Sequence, residues 1–402
     1  MTTVSMDDVR DARDLLRDVV RPTPLEVSRR LADLVGGPVY LKCENLQRAG
    51  SFKIRGAYVR IARLAADERA RGVVAASAGN HAQGVALAAS MLGAKATVFM
   101  PRGAPIVKEK ATRTYGADVR FAGASVDEAV HAARDFAAET GACLIHPFDH
   151  PDIVAGQATV GVEIVEQCPD LRTVVVAVGG GGLIAGVSLA VKDARPQTRV
   201  IGVQASGAAA YPGSLRAGHP VALDAMSTMA DGIAVARPGE VPFGLVREFV
   251  EEVRTVGEDL TARALLLLLE RAKLVVEPAG AVGVAALLQE PHAFEPPVVV
   301  VLSGGNVDPL LLLRVIRHGL AASGRYLSFR VRVPDRPGAL AALLAELAAA
   351  DANLLDVVHE RTKPQLRMDE VDVAIQVETR GAEHCAHVLA ALREAGFQLS
   401  FD

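Results

Sequence analysis

The sequence predicts an α/β protein built on parallel sheets, in two subdomains, followed by a ferredoxin-like βαββαβ unit. Three observations carry that expectation. Short apolar runs at 72–76, 173–178 and 297–302 recur between segments of helical periodicity, as strands buried on both faces do. Several of these runs end in turns of glycine, serine or asparagine that open a helix. From residue 326 the pattern changes to strands that alternate apolar and polar positions.

At 402 residues the chain exceeds one ordinary domain, and half of it is hydrophobic, which suits a soluble α/β protein with a large core. The net charge of −4 is spread without a basic stripe, and tryptophan is absent, so nucleic acid is not an expected partner. The four cysteines, Cys43, Cys143, Cys168 and Cys385, are scattered without metal-ligand spacing and read as reduced thiols of a cytoplasmic protein. Residues 1–20 carry five aspartates and no apolar core segment, so neither a secretory signal nor a transit peptide is expected there. Apolar runs such as 264–269 are too short to span a membrane.

In chain order, Val9, Ala12, Leu15, Leu16 and Val19 mark a helix over 6–20, which Pro22 and Pro24 end. A strand at 38–44 delivers the segment Ser51-Phe52-Lys53-Ile54-Arg55-Gly56-Ala57, and a helical stripe follows from Lys53. Strands at 72–76, 96–100, 117–121 and 143–145 alternate with helices at 82–92, 105–115 and 125–139. Residues 54–147 thus form a small α/β subdomain inserted into a larger one. Helix 151–167, strand 173–178, a helix through Val191 and strand 199–204 continue the larger one, with a helix at 279–288 and a strand at 297–302.

Lys53 stands between an aromatic and an isoleucine. Desolvation disfavours an ammonium and turns a lysine into an amine nucleophile. Taken alone, it reads as an ordinary lysine whose stem packs under its neighbours. Three other segments tip the balance. Ser77-Ala78-Gly79-Asn80-His81 is a small polar turn between strand and helix, suited to holding a carboxylate or phosphate, though by itself it reads as a helix cap and His81 as a structural histidine. Gly179, Gly180, Gly181 and Gly182 cannot serve helix or strand stability, and they let backbone N–H groups converge on an anion. Gly180, Gly182 and Ala185 also satisfy a dinucleotide fingerprint, but the following strand ends in Gln204-Ala205-Ser206 and lacks the ribose-binding acid, so a single phosphate is preferred. Ser303-Gly304-Gly305-Asn306 follows the last strand of this region. Ser77, the glycine run and Ser303 all lie just past strand C-termini, where parallel sheets bind ligands.

These segments together resemble the pyridoxal-phosphate (PLP) enzymes of the tryptophan-synthase β-like fold, called fold type II, and within them the threonine dehydratases, or threonine ammonia-lyases. The resemblance covers roughly residues 5–320. It implies that Lys53 binds PLP and acts as general base, that Phe52 and Asn80 contact the cofactor ring and its phenolic oxygen, and that Gly179 to Gly182 with Leu183 bind its phosphate. Ser303 would face the pyridine nitrogen. Ser77, Ala78, Gly79, Asn80 and His81 would bind the substrate carboxylate. A neutral hydroxyl at Ser303 suits an unprotonated ring nitrogen and so favours prompt β-elimination over transamination. The implied reaction converts threonine to 2-oxobutanoate and ammonia, and serine to pyruvate, within isoleucine biosynthesis or threonine catabolism. Related serine racemases carry a serine where this chain has Ala78, which favours dehydration. Relatives that bind a divalent metal use carboxylates where Gln204, Ala208 and Ala210 stand here, so no metal is expected. A serine-preferring dehydratase, a serine racemase and a non-catalytic amino-acid sensor are the alternatives.

Residues 319–324 read as a linker. Strands at 326–333, 353–360, 371–377 and 397–401 and helices at 338–350 and 381–395 then complete the βαββαβ order. This part resembles an ACT domain, a regulatory amino-acid-binding module, with Asp335-Arg336-Pro337-Gly338 as the ligand-loop signature. Gly338 and Asn353 are the candidate effector contacts, and isoleucine is the expected effector; a purely structural dimerisation domain is the alternative. The domains expected are thus 1–320 and 326–402, in a homo-oligomer, tetramer or dimer.

Overall fold

The computed structural model describes residues 4–361 and 366–401. It divides into two compact units, Met1–Leu312 and Leu313–Asp402.

The first unit holds two sheets. The larger is built from β1 (Leu25–Val27), β2 (Val39–Lys42), β7 (Thr173–Ala177), β8 (Arg199–Ala205), β9 (Glu252–Val256) and β10 (Val298–Val301), in the order β1-β2-β10-β7-β8-β9. All its neighbours are parallel except β1 with β2. The smaller sheet is wholly parallel, with β3 (Val73–Ala76), β4 (Ala96–Met100), β5 (Asp118–Phe121) and β6 (Cys143–Leu144) in the order β5-β4-β3-β6. Strands β3, β4, β7 and β10 are buried along their whole length, which is why they read as unbroken apolar runs.

The helix Lys53–Ala62 is anchored from below by buried ions. Arg55 donates to both oxygens of Glu44, at 2.9 and 2.8 Å, and to Glu163 at 2.7 Å. Lys42 completes the group through Glu163 at 2.5 Å. Two cations and two carboxylates balance, as burial of charge requires.

The second unit comprises β11 (Tyr326–Pro334), the helix Ala339–Ala349, β12 (Asn353–Glu360), β13 (Glu370–Glu378), the helix Ala382–Glu394 and β14 (Gln398–Ser400). Its sheet is antiparallel, in the order β12-β13-β11-β14. Phe329, Val331 and Val333 alternate inward with Val371, Val373 and Ile375 to meet Leu343, Leu347, Val388 and Leu392.

Some element boundaries differ from the sequence reading. The first helix ends at Leu16 rather than at residue 20. Residues 319–324 are largely helix, because Pro309–Ala322 buries Val315 and Gly319 and stops only at Gly324, whose φ is +67°. Strands β1 and β9 are only partly buried, so they lack the apolar signature.

Candidate active site

Four strand ends supply one cavity of about 800 Å³. From β2 the chain passes through two short 3₁₀ turns and enters the helix Lys53–Ala62. From β3 it passes through Ser77, Ala78 and Gly79 into the helix Asn80–Met91. From β7 it runs through the four glycines into Gly182–Ala194, and after β10 it reaches Ser303. Phe52, Lys53, Ser77, Ala78, Gly79, Asn80, His81, Gly179, Gly180, Gly181, Gly182, Leu183 and Ser303 all line this cavity. Lys108 on the rim reaches across to Asp231, joining the small subdomain to the larger one.

Lys53 Nζ donates to the Pro147 carbonyl at 2.9 Å and lies 5.1 Å from the centre of the Phe52 ring. Burial pushes it down to about 8, and the charge of Glu277 opposes the fall. Asn80 is held by two neighbours: its Nδ2 donates to Glu277 Oε1 at 2.6 Å, and its Oδ1 accepts from Asn306 Nδ2 at 2.8 Å. Ser77 Oγ accepts from the Gly79 amide at 3.1 Å. The His81 ring is 4% exposed and meets the Ile145 carbonyl at 2.8 Å, so its Nε2 is the donor. Burial and the charge of Lys53 push His81 down to about 3, so the ring is neutral. Ser303 is 3% exposed, and its carbonyl accepts from the Phe52 amide at 3.2 Å.

The glycine loop is a cradle that side chains would fill. A Cβ on Gly181, where φ is +100°, would fall 1.8 Å from the Tyr211 hydroxyl, and one on Gly180 would fall 2.4 Å from the Phe148 ring. Among the described residues, no acceptor meets the amide N–H groups of Gly179 to Leu183. Converging free amides at the start of a 13-residue helix suit a phosphate. A phosphate cradle, a depressed lysine and a neutral hydroxyl in one cavity fit a phosphorylated aldehyde cofactor.

The family model described as "Pyridoxal-phosphate dependent enzyme" matches residues 16–304. The chain belongs to the pyridoxal-phosphate-dependent enzymes. A second model, "ACT domain", matches residues 328–397. The L-threonine ammonia-lyase of Thermotoga maritima is 46% identical over 396 residues, 98% of this chain and 99% of that protein. Among solved structures, the processed form of threonine deaminase isoform 2 from Solanum lycopersicum superposes with a TM-score of 0.74 at 38% identity, covering 79% of this enzyme and 95% of that chain. Maize serine racemase gives 0.74 at 35% identity, covering 79% and 98%.

Several cavity residues were not singled out from the sequence. Glu277 stands at the N-cap position of the helix Pro278–Gln289 without a side-chain capping bond, and its carboxylate accepts from Asn80 instead. Burial raises its carboxyl to about 7, with the charge of Asp231 adding to the rise. His146 and Phe148 lie in a loop after β6 with no motif to mark them. Gln204 spends its side chain on the Tyr211 amide, at 2.9 Å, and the Val178 carbonyl, at 3.2 Å. In the second unit, Gly338 has φ +90° and lines a recess of about 380 Å³ with Asp335, His359 and Arg361. Asn353 is not part of that recess and donates to Glu378 at 3.1 Å.

Proposed function

We propose that the enzyme is an L-threonine ammonia-lyase, converting L-threonine to 2-oxobutanoate and ammonia, and L-serine to pyruvate and ammonia. The observation that carries this reading is the placement of Lys53, an amine depressed to about 8, in the same cavity as the unpartnered glycine amides. The Thermotoga maritima relative, matched over nearly the whole chain, is named an L-threonine ammonia-lyase.

Gly179 to Leu183 would hold the cofactor's phosphate, and Phe52 and Asn80 would contact its ring and phenolic oxygen. When bound, PLP supplies an electron sink that acidifies the substrate's Cα hydrogen and lets the β-hydroxyl leave. Lys53 Nζ takes the Cα proton, because its environment leaves a usable fraction of free amine near neutral pH. Ser303 would offer the ring nitrogen a hydroxyl rather than a carboxylate, which would keep the sink moderate and favour elimination. The Ser77–His81 turn takes the substrate carboxylate, with Ser77 Oγ and the backbone as polar groups and the His81 ring as a neutral anchor to Ile145.

Ala78 lines the cavity and has no proton to give to the opposite face of the substrate. The second unit is an amino-acid effector module, with Gly338 at its recess and isoleucine as the effector. The enzyme works in the cytoplasm as a homo-oligomer. No helix among the described residues is long and apolar enough to cross a membrane.

Purified enzyme given L-threonine should release 2-oxobutanoate, and Lys53→Ala should not. L-serine, D-serine and an isoleucine titration complete the assay. A bound PLP chromophore without ketoacid from either L-amino acid would overturn the lyase reading.

A further inference from the structure

One imidazole on the cavity wall has no part in the roles above. His146 follows β6 in the run Ile145-His146-Pro147-Phe148. Its Nδ1 accepts two backbone N–H groups, from Asp149 at 2.8 Å and Phe148 at 3.3 Å. A nitrogen that accepts two N–H donors carries no proton, so the proton of the neutral ring sits on Nε2. Protonating the ring would break both bonds. Burial points the same way and pushes the imidazole down to about 4, although the charge of Asp149 opposes it.

The remaining donor, Nε2–H, meets no acceptor among the described residues, and the ring lines the 800 Å³ cavity. The two residues that follow touch both sides of the proposed cofactor site. The Pro147 carbonyl accepts from Lys53 Nζ at 2.9 Å. Phe148 stacks edge-on against the His146 ring, at 4.7 Å and 89°, and fills the space beside Gly180 and Gly182. His146 is half-buried, so this donor opens onto the cavity, where a ligand oxygen can replace water as its acceptor.

We infer that His146 is a ligand-binding residue whose Nε2–H donates a hydrogen bond to an anionic oxygen in the cavity, either of the cofactor's phosphate or of the substrate's carboxylate. The inference rests on the PLP-dependent lyase reading above. Because a neutral imidazole is a very weak acid, His146 orients the anion and does not transfer a proton.

The test uses the full-length enzyme, His146→Leu and His146→Gln. Glutamine keeps an acceptor for the two amides and an N–H for the ligand. PLP affinity is read by absorbance titration of the resolved protein, and KM and kcat for L-threonine are read at saturating PLP. His146→Leu should lose roughly 10- to 100-fold in one of these, the range of a hydrogen bond to a charged oxygen, and His146→Gln should recover most of it. A weaker PLP titration with unchanged KM assigns the phosphate. A raised KM with kcat within about threefold of the parent assigns the carboxylate. Less than a threefold change in both, in a variant that folds, overturns the inference. Should the leucine variant fail to fold, ¹⁵N NMR of the histidine-labelled parent decides: a protonated Nδ1, or an Nε2 resonance unmoved by ligand, overturns it. The PLP titration and the NMR need no turnover, so failure of the lyase reading would show separately as absence of 2-oxobutanoate from the parent enzyme.

Discussion

Lys53 and Arg55 lie two residues apart on one helix, and a helix turns them about 200° from each other, onto opposite faces. Both are cations in a protein interior, yet they end in opposite states. For Arg55 desolvation alone would lower the pKa, but Glu44 and Glu163 outweigh it and raise the value, so the guanidinium stays charged. Lys53 meets a carbonyl and an aromatic ring. Its nearest acidic influence, Glu277, is itself raised to about 7 and bound to Asn80. Burial by itself therefore does not make a nucleophile. The number of carboxylates that follow a cation inside decides whether it anchors or reacts.

Exchanging each residue for methionine should separate the two roles. Lys53→Met should have the largest effect on turnover, a loss of about 10⁴-fold or more in 2-oxobutanoate release, since the amine is both tether and base. Its cofactor-free chain should melt no lower than the parent, because a buried cation without a carboxylate has been removed. Arg55→Met should do the reverse. It strands Glu44 without a cation, while Lys42 still pairs with Glu163, so unfolding free energy should fall by about 3–5 kcal/mol in urea titrations, and residual folded enzyme still turns over threonine. A stable Arg55→Met, or an active Lys53→Met, would break the contrast.

The anchor was illegible in the sequence and the reactive lysine was not, for a physical reason. Ser77, the glycine run and Ser303 each sit just past a strand end, where small polar residues interrupt apolar runs, and Lys53 is marked by its apolar neighbours Phe52 and Ile54. The partners of Arg55 lie 11 and 108 residues away, at Glu44 and Glu163, and no local period announces such a group. Glu277 was hidden because its partner Asn80 lies 197 residues away, and His146 because its loop carries no pattern. The helix Pro309–Ala322 was missed because its small residues suggested a linker, whereas Gly319 is small because it is buried.

The pair also separates by pH. The Glu277 carboxyl, raised from 4.5 to about 7, keeps its proton in the folded chain after the unfolded chain has lost it. Its stabilising contribution is complete below pH 4.5 and is lost as pH rises through 7, by roughly 3 kcal/mol across the window. Subtracting the stability curve of Glu277→Gln from that of the cofactor-free parent should show this fall. Lys53, lowered from 10.5 to about 8, should give the opposite slope, a rise between pH 8 and 10.5 relative to Lys53→Met. Flat difference curves in both windows would mean that water reaches these groups.

The smallest effect expected is at the glycine cradle, where space and backbone conformation can be pulled apart. Gly181→Ala puts a β-carbon at φ +100° and against the Tyr211 hydroxyl. The strained dihedral alone should cost about 1–3 kcal/mol. Tyr211→Phe removes the nearest clashing atom and its 3.3 Å bond to the Gly180 carbonyl, but it leaves the ring carbon at 2.9 Å, Pro242 Cβ at 3.0 Å and the dihedral unchanged. The double variant should therefore regain PLP affinity relative to Gly181→Ala without reaching the parent. Full recovery would mean that the hydroxyl alone excludes a side chain at this glycine, and no recovery would mean that the left-handed turn and the remaining contacts with the ring carbon and Pro242 set it.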